Sequence, residues 1–118
     1  MTERCLIVDD SRRFIAAARG LLERQGLQVV GVATNGDEAI ALARQLRPDV
    51  ILLDIDLGKE SGFNVAELLG QQSSTPVILI STHDEEDYLD LIAASPALGF
   101  LPKTGLSAPA IRSLLGAV

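Results

Sequence analysis

Apolar residues gather into five short runs at a fairly even spacing along the chain: Cys5 to Val8, Leu27 to Ala33, Val50 to Leu53, Val77 to Ile80 and Leu98 to Leu101. Each is rich in Val, Ile or Leu, and most are continuous rather than alternating. That is the pattern of strands buried on both faces of a parallel sheet. The stretches between them follow the helical period instead. Phe14, Ile15, Ala18, Leu21 and Leu22 share one helical face, as do Ala39, Leu42, Ala43 and Leu46. Val65, Leu68 and Leu69 mark a third helix, Tyr88, Leu91 and Ile92 a fourth, and Ile111, Leu114, Leu115 and Val118 a fifth. Asn35 and Glu38 have the spacing of a capping box, and Ser107 fits an N-cap with Pro109 in the first turn. Gly26 and Pro96 stand where the first and fourth helices should stop, and Pro48 and Pro76 stand just ahead of the third and fourth strands. No internal repeat, low-complexity stretch or linker interrupts the order. The chain therefore reads as (βα)5, and right-handed crossovers give one parallel sheet with helices on both faces in a single domain over residues 1–118.

In such a sheet ligands bind beyond the carboxyl ends of the strands, where the strand order reverses. The first strand ends in Asp9-Asp10, the third in Asp54 with Asp56 two residues on, the fourth in Ser81-Thr82, and the fifth just before Lys103. The second ends in Ala33-Thr34, with nothing ionisable. If the first and third strands are neighbours, three carboxylates converge on one patch. Two such charges about 4 Å apart repel by roughly 4 kcal/mol at an effective dielectric of ~20. The cluster needs compensation, and the compensators on offer are Lys103 and a hard divalent cation. Mg²⁺ suits a few carboxylates together with waters and a phosphate oxygen. These residue types are those of phosphoryl transfer to a carboxylate. Asp54 would be the nucleophile and form an aspartyl-phosphate, with Asp9, Asp10 and Asp54 around Mg²⁺. Lys103 would pair with one phosphoryl oxygen and the Ser81 hydroxyl would donate to another.

Composition narrows the class. With 118 residues, 47% hydrophobic and 22% charged, the chain is an ordinary globular domain able to bury its own core. A net charge of −6 argues against direct nucleic-acid binding by this domain. Cys5 is the only cysteine and sits in an apolar run, so it reads as core rather than as redox chemistry, in a reducing, cytoplasmic compartment. Neither a signal peptide nor a run of membrane-spanning length is visible.

The four strand-end segments, Leu6-Ile7-Val8-Asp9-Asp10, Val50-Ile51-Leu52-Leu53-Asp54, Val77-Ile78-Leu79-Ile80-Ser81 and Gly99-Phe100-Leu101-Pro102-Lys103, together resemble a response regulator receiver domain of two-component signalling. The last run is similar to receivers that precede LuxR-type helix-turn-helix output domains. The resemblance covers essentially the whole chain. It implies a flavodoxin-like fold with strand order 2-1-3-4-5, and phosphoryl transfer from a histidine kinase or phosphotransfer protein to Asp54. It implies Asp9, Asp10 and the backbone carbonyl of Asp56 as metal ligands, Ser81 and Lys103 as phosphoryl contacts, and Ser81 with Phe100 as the switch pair. It further implies that helix 4, strand 5 and helix 5 form the responding face, across which a homodimer is expected, and that the chain is either a single-domain switch or the N-terminal part of a longer regulator. Two features depart from the usual pattern: the turn after the acceptor reads Asp56-Leu57-Gly58-Lys59 without proline, and Lys103 is followed by Thr104 and preceded by Pro102.

Each feature also has a plainer reading. Ser11 fits a helix cap, Asp56 a turn residue, His83 a loop residue, and Asp84 to Asp87 the positive end of the fourth helix. Two other functions fit part of the pattern. A pseudo-receiver keeps the fold as an interaction module without the chemistry. Asp54-Ile55-Asp56 also resembles the nucleophile motif of haloacid dehalogenase-type phosphatases, but there the nucleophile ends the first strand and an acidic motif follows the Lys. No acidic residue follows Lys103 here. The expected protein is a switch, not a turnover enzyme.

Overall fold

The computed structural model describes residues 2–116, so Val118 of the expected fifth helix lies outside the described residues. Five parallel strands form one sheet: β1 (Arg4–Val8), β2 (Gln28–Ala33), β3 (Val50–Asp54), β4 (Val77–Ser81) and β5 (Gly99–Pro102). Their spatial order is β2-β1-β3-β4-β5, the expected 2-1-3-4-5 of a flavodoxin-like sheet. Five helices connect or follow them: α1 (Arg12–Arg24), α2 (Gly36–Leu46), α3 (Gly62–Gln72), α4 (Leu89–Ala94) and α5 (Ala108–Gly116). The order reverses between β1 and β3, which brings their carboxyl ends side by side, with Val8 opposite Leu53.

Side chains of each strand alternate between two cores. Cys5, Ile7, Leu52, Ile78 and Ile80 pack under α1 and α5 through Ile15, Leu22 and Ile111. Leu6, Val8, Ile51, Leu53, Leu79 and Phe100 pack under α2, α3 and α4 through Ala39, Val65, Leu69 and Ile92. Both faces of β3 are therefore buried, which is why its sequence shows no alternation.

The helix ends follow their capping residues. Ser11 Oγ accepts from the Phe14 N–H, and Ser107 Oγ accepts from the Ala110 N–H. Asn35 caps α2 by accepting from the Glu38 N–H, but the other half of the expected box is shifted by one residue. Glu38 reaches back to the N–H and hydroxyl of Thr34 rather than to the N–H of Asn35. Gly26, at φ 94°, follows the end of α1 in the left-handed region that glycine tolerates.

Two elements differ from their expected form. Residues Asp56–Leu57 and Glu60–Ser61 make a small antiparallel ribbon after β3, turned by Gly58 at φ 61°, the positive φ that a tight hairpin needs. The fourth helix is short. Tyr88 belongs to a preceding 3₁₀ turn (Glu85–Tyr88), Leu91 is exposed, and Ile92 alone of the expected stripe packs inward from the helix itself. Among the described residues no peptide bond is cis, and no helix is long and apolar enough to cross a membrane.

Candidate functional site

The site forms where the chain leaves the sheet. Asp9 leaves β1 with its N–H bonded to the Ala33 carbonyl at 3.0 Å. Its Oδ1 accepts from the Ser11 N–H at 2.8 Å, so the cap that starts α1 also fixes the Asp9 carboxylate. Asp9 is fully buried. Asp10, the next residue, is exposed. Asp54 ends β3, is 5% exposed, and has its Oδ1 bonded to the Asp56 N–H at 3.1 Å. Gly62 braces the same loop from behind, donating its N–H to the Ile55 carbonyl at 2.8 Å. A Cβ at Gly62 would overlap the Asp54 carbonyl oxygen and come within 2.6 Å of the Ile55 Cα, so only glycine fits there.

Lys103 enters from the turn after β5. Its Nζ lies 2.7 Å from Asp9 Oδ2 and 3.3 Å from Asp54 Oδ2, with the side chain 13% exposed. The ring of Phe14, in the first turn of α1, lies under the ammonium at 4.3 Å from its centroid. The sequence places Phe14 on the core face of α1, and no spacing rule marks it as a cover for Lys103. Burial alone would lower the Lys103 pKa, but the Asp9 and Asp54 carboxylates outweigh it and hold the ammonium charged above its ordinary value. At Asp54, burial raises the carboxyl pKa from 3.8 to about 6; the Asp56 N–H pulls it down, the Asp9 charge pushes it up, and Lys103 lowers it again.

A divalent cation fits this residue set. One carboxylate oxygen from each of Asp9, Asp10 and Asp54 lies within 4.8 Å of the others. Asp9 Oδ2 is buried and lies 2.7 Å from the Lys103 ammonium. One ammonium beside three clustered carboxylates leaves negative charge that suits a hard cation.

The structure thus brings together Asp9, Asp10, Asp54 and Lys103. Ser81 lies at the adjoining strand end, fully buried, with its Oγ accepting from the His83 N–H at 2.9 Å. The Asp56 side chain points to solvent, and its Oδ2 lies 3.8 Å from His83 Nε2 across a pair that is more than half exposed, an interaction of little energetic weight. Phe100 is outside this group. It is 8% exposed and packs in the core beneath α4. Cys5, whose thiol burial pushes up to about 12, is a core residue as expected.

Known proteins give a consistent match. The response regulator receiver domain family profile fits residues 5–113. Protein PilH of Pseudomonas aeruginosa is 42% identical over 86 residues, covering 70% of this chain and 70% of that protein. A protein-glutamate methylesterase/protein-glutamine glutaminase of Alkalilimnicola ehrlichii is 38% identical over 107 residues, covering 87% of this chain but only 27% of that protein's length. Among solved structures, a LuxR-family two-component response regulator from Aurantimonas sp. superimposes with a TM-score of 0.87 at 26% identity, over 99% of this chain and 87% of that one. Chemotaxis protein CheY4 of Vibrio cholerae does so with a TM-score of 0.84 at 26% identity over the full length of both. The chain belongs to the response regulator receiver domain family of two-component signalling.

Proposed function

We propose that the domain is a phosphorylation-controlled switch whose acceptor is Asp54. The observation that carries this reading is the buried Asp54 carboxylate, held between the Asp56 N–H and the Lys103 ammonium beside a second buried carboxylate, Asp9. At neutral pH the Asp54 carboxyl, with its pKa near 6, is mostly ionised and able to act as nucleophile. In transfer from a phosphohistidine of a histidine kinase or phosphotransfer protein, an Asp54 carboxylate oxygen forms the new bond to phosphorus. The phosphorus–nitrogen bond breaks, and the departing imidazole takes a proton. Asp9, Asp10 and Asp54 would hold Mg²⁺, with the Asp56 carbonyl as a further oxygen. The cation, when bound, supplies positive charge against the transferring phosphoryl group.

This chain's own residues do the rest. Lys103 exchanges its Asp54 contact for a phosphoryl oxygen, keeping one positive charge beside the growing negative one. Ser81 already accepts from the His83 N–H, which leaves its hydroxyl hydrogen free to donate to another phosphoryl oxygen. That donation draws Ser81 and its loop toward the acceptor and changes the packing around Phe100, behind the surface of α4, β5 and α5. The output is read there by a separate partner, a further segment of the same polypeptide, or a second copy across this face. The domain itself acts once per phosphoryl group, as a switch rather than a catalyst of turnover.

Incubation with acetyl phosphate and Mg²⁺, read by intact mass, tests this. The wild type should gain one phosphoryl group and Asp54→Asn none. A phosphopeptide mapping to Asp56 or Ser81, or no gain at all as in a pseudo-receiver, would contradict it.

A further inference from the structure

Away from the acidic site, three large apolar side chains remain exposed among the described residues. They are Leu68 of α3, 45% exposed, and Leu89 and Leu91 of α4, 54% and 52% exposed. Leu68 and Leu91 line an open groove of about 470 Å³ between the two helices, with Phe63, Glu67 and Ala94. Phe63 and Leu91 also border a second depression of about 330 Å³ that ends at Ile55 and Asp56. The seam between α3 and α4 is thus continuous with the mouth of the acceptor site. Aromatic contacts follow the same line: His83 lies 5.8 Å from Tyr88 and Tyr88 lies 6.0 Å from Phe63, ring centroid to ring centroid.

The charge around this groove is mostly negative: Glu67 lines it, and Asp56 and Glu60 line the second depression with Lys59 as the cation beside them. From residue 60 to residue 102 the chain carries Glu60, Glu67, Asp84, Glu85, Glu86, Asp87 and Asp90, and neither Lys nor Arg. Most of the cations lie on α1, α2 and the early loops, up to Lys59; only Lys103 and Arg112 follow. An apolar groove with an acidic rim selects its occupant by both properties.

We propose that this groove receives an amphipathic helix of a partner protein, apolar on the face that enters and rich in Lys and Arg on its flanks. A helix fits better than an extended peptide. The groove lies between two helices whose backbone groups bond internally, while the open sheet edges belong to β2 and β5. A second copy of this chain fits poorly. A two-fold contact of the face with itself would oppose the two acidic sets, and the Arg-rich α1 could meet it only head to tail, not in a two-fold dimer. Because the seam opens at Asp56, one end of the bound helix lies beside the acceptor loop. Its affinity then depends on the state of Asp54. That dependence rests on the switch reading above, whereas the binding itself does not.

The probe is a synthetic peptide of about 16 residues, ~24 Å long as a helix. It carries Leu at i, i+4, i+7 and i+11 and Lys or Arg elsewhere, and its control has each Leu replaced by Ser at equal charge. Fluorescence anisotropy should show the leucine peptide binding at least tenfold tighter than the control, with amide shifts centred on Phe63, Leu68 and Leu91. The double variant L68S/L91S should lose that tenfold preference while its melting curve and acetyl-phosphate labelling stay as in wild type. Beryllofluoride with Mg²⁺ should change the wild-type affinity at least threefold, and Asp54→Asn should bind the peptide but ignore beryllofluoride. Equal binding of the two peptides, shifts on another face, or sedimentation showing a dimer that the double variant abolishes would overturn the proposal. Equal affinity with and without beryllofluoride, in a protein that labels normally, would overturn the coupling to Asp54.

Discussion

At Asp54 a single carboxyl group links stability to the proposed function. Burial raises its pKa to about 6 from an ordinary 3.8 despite the Asp56 N–H, and the Asp9 charge adds to the rise. A folded-state pKa above the unfolded one means the metal-free native state binds more protons than the unfolded chain between these values. The stability contribution is fully present below 3.8 and is lost as pH rises through about 6. Asp54→Asn removes that loss. In the absence of Mg²⁺ the variant should be more stable than wild type at pH 7 by about 1–3 kcal/mol, and its stability should vary less between pH 4 and pH 7. Thermal melts across that range check both, and an Asn variant that is less stable at pH 7 would contradict the burial account. Gly62 acts by shape instead. The atoms that a Cβ would strike are backbone atoms of Asp54 and Ile55, which cannot rotate away. Gly62→Ala should cost about 1–3 kcal/mol and slow acetyl-phosphate labelling together, by shifting the acceptor loop. A variant with wild-type labelling and stability would show that the loop yields freely.

The elements divide into those the sequence announces and those it cannot. β1, β3 and β4 are buried on both faces, so their composition alone marks them, and their ends carry Asp9, Asp54 and Ser81 to one side of the sheet. Lys103 is legible for the same reason, as the residue after β5. The ribbon at Asp56–Leu57 and Glu60–Ser61 is illegible, because a two-residue strand has no period to read; Gly58 signals only a turn. The support that Phe14 and Gly62 give the site is also hidden. A phenylalanine on an apolar helical face and a glycine at a helix start each have an ordinary local explanation. Periodicity overstates the third and fourth helices. Leu68 lies on the flank of α3, roughly 100° round from the centre of its buried face, and α4 runs only from Leu89 to Ala94 with none of its residues fully buried. A six-residue helix with so little buried area opens cheaply. Amide hydrogen exchange should be faster in residues 89–94 than in the Val65–Leu69 segment of α3 by tenfold or more. Equal protection would mean that α4 is as firmly held as the rest and ill-suited to a conformational response.

At the scale of the molecule, the sheet separates two tasks. Its carboxyl end gathers Asp9, Asp10, Asp54 and Lys103, while α4 and its preceding turn carry an acidic, partly apolar surface over the core that holds Phe100. Ser81 stands between them, at the end of β4, which pairs with β5; Leu79 and Phe100 face each other across that pair. A phosphoryl group adds about −1.5 to −2 charge and strong acceptor oxygens at one end of this arrangement. For the domain to be a switch, that local change must travel to the α4 surface. Amide shifts on adding beryllofluoride and Mg²⁺ measure this most directly. Wild type should shift around Asp54 and also through residues 84–103, and Asp54→Asn should shift in neither region. Shifts confined to the loops around Asp54, leaving residues 84–103 unchanged, would contradict the account.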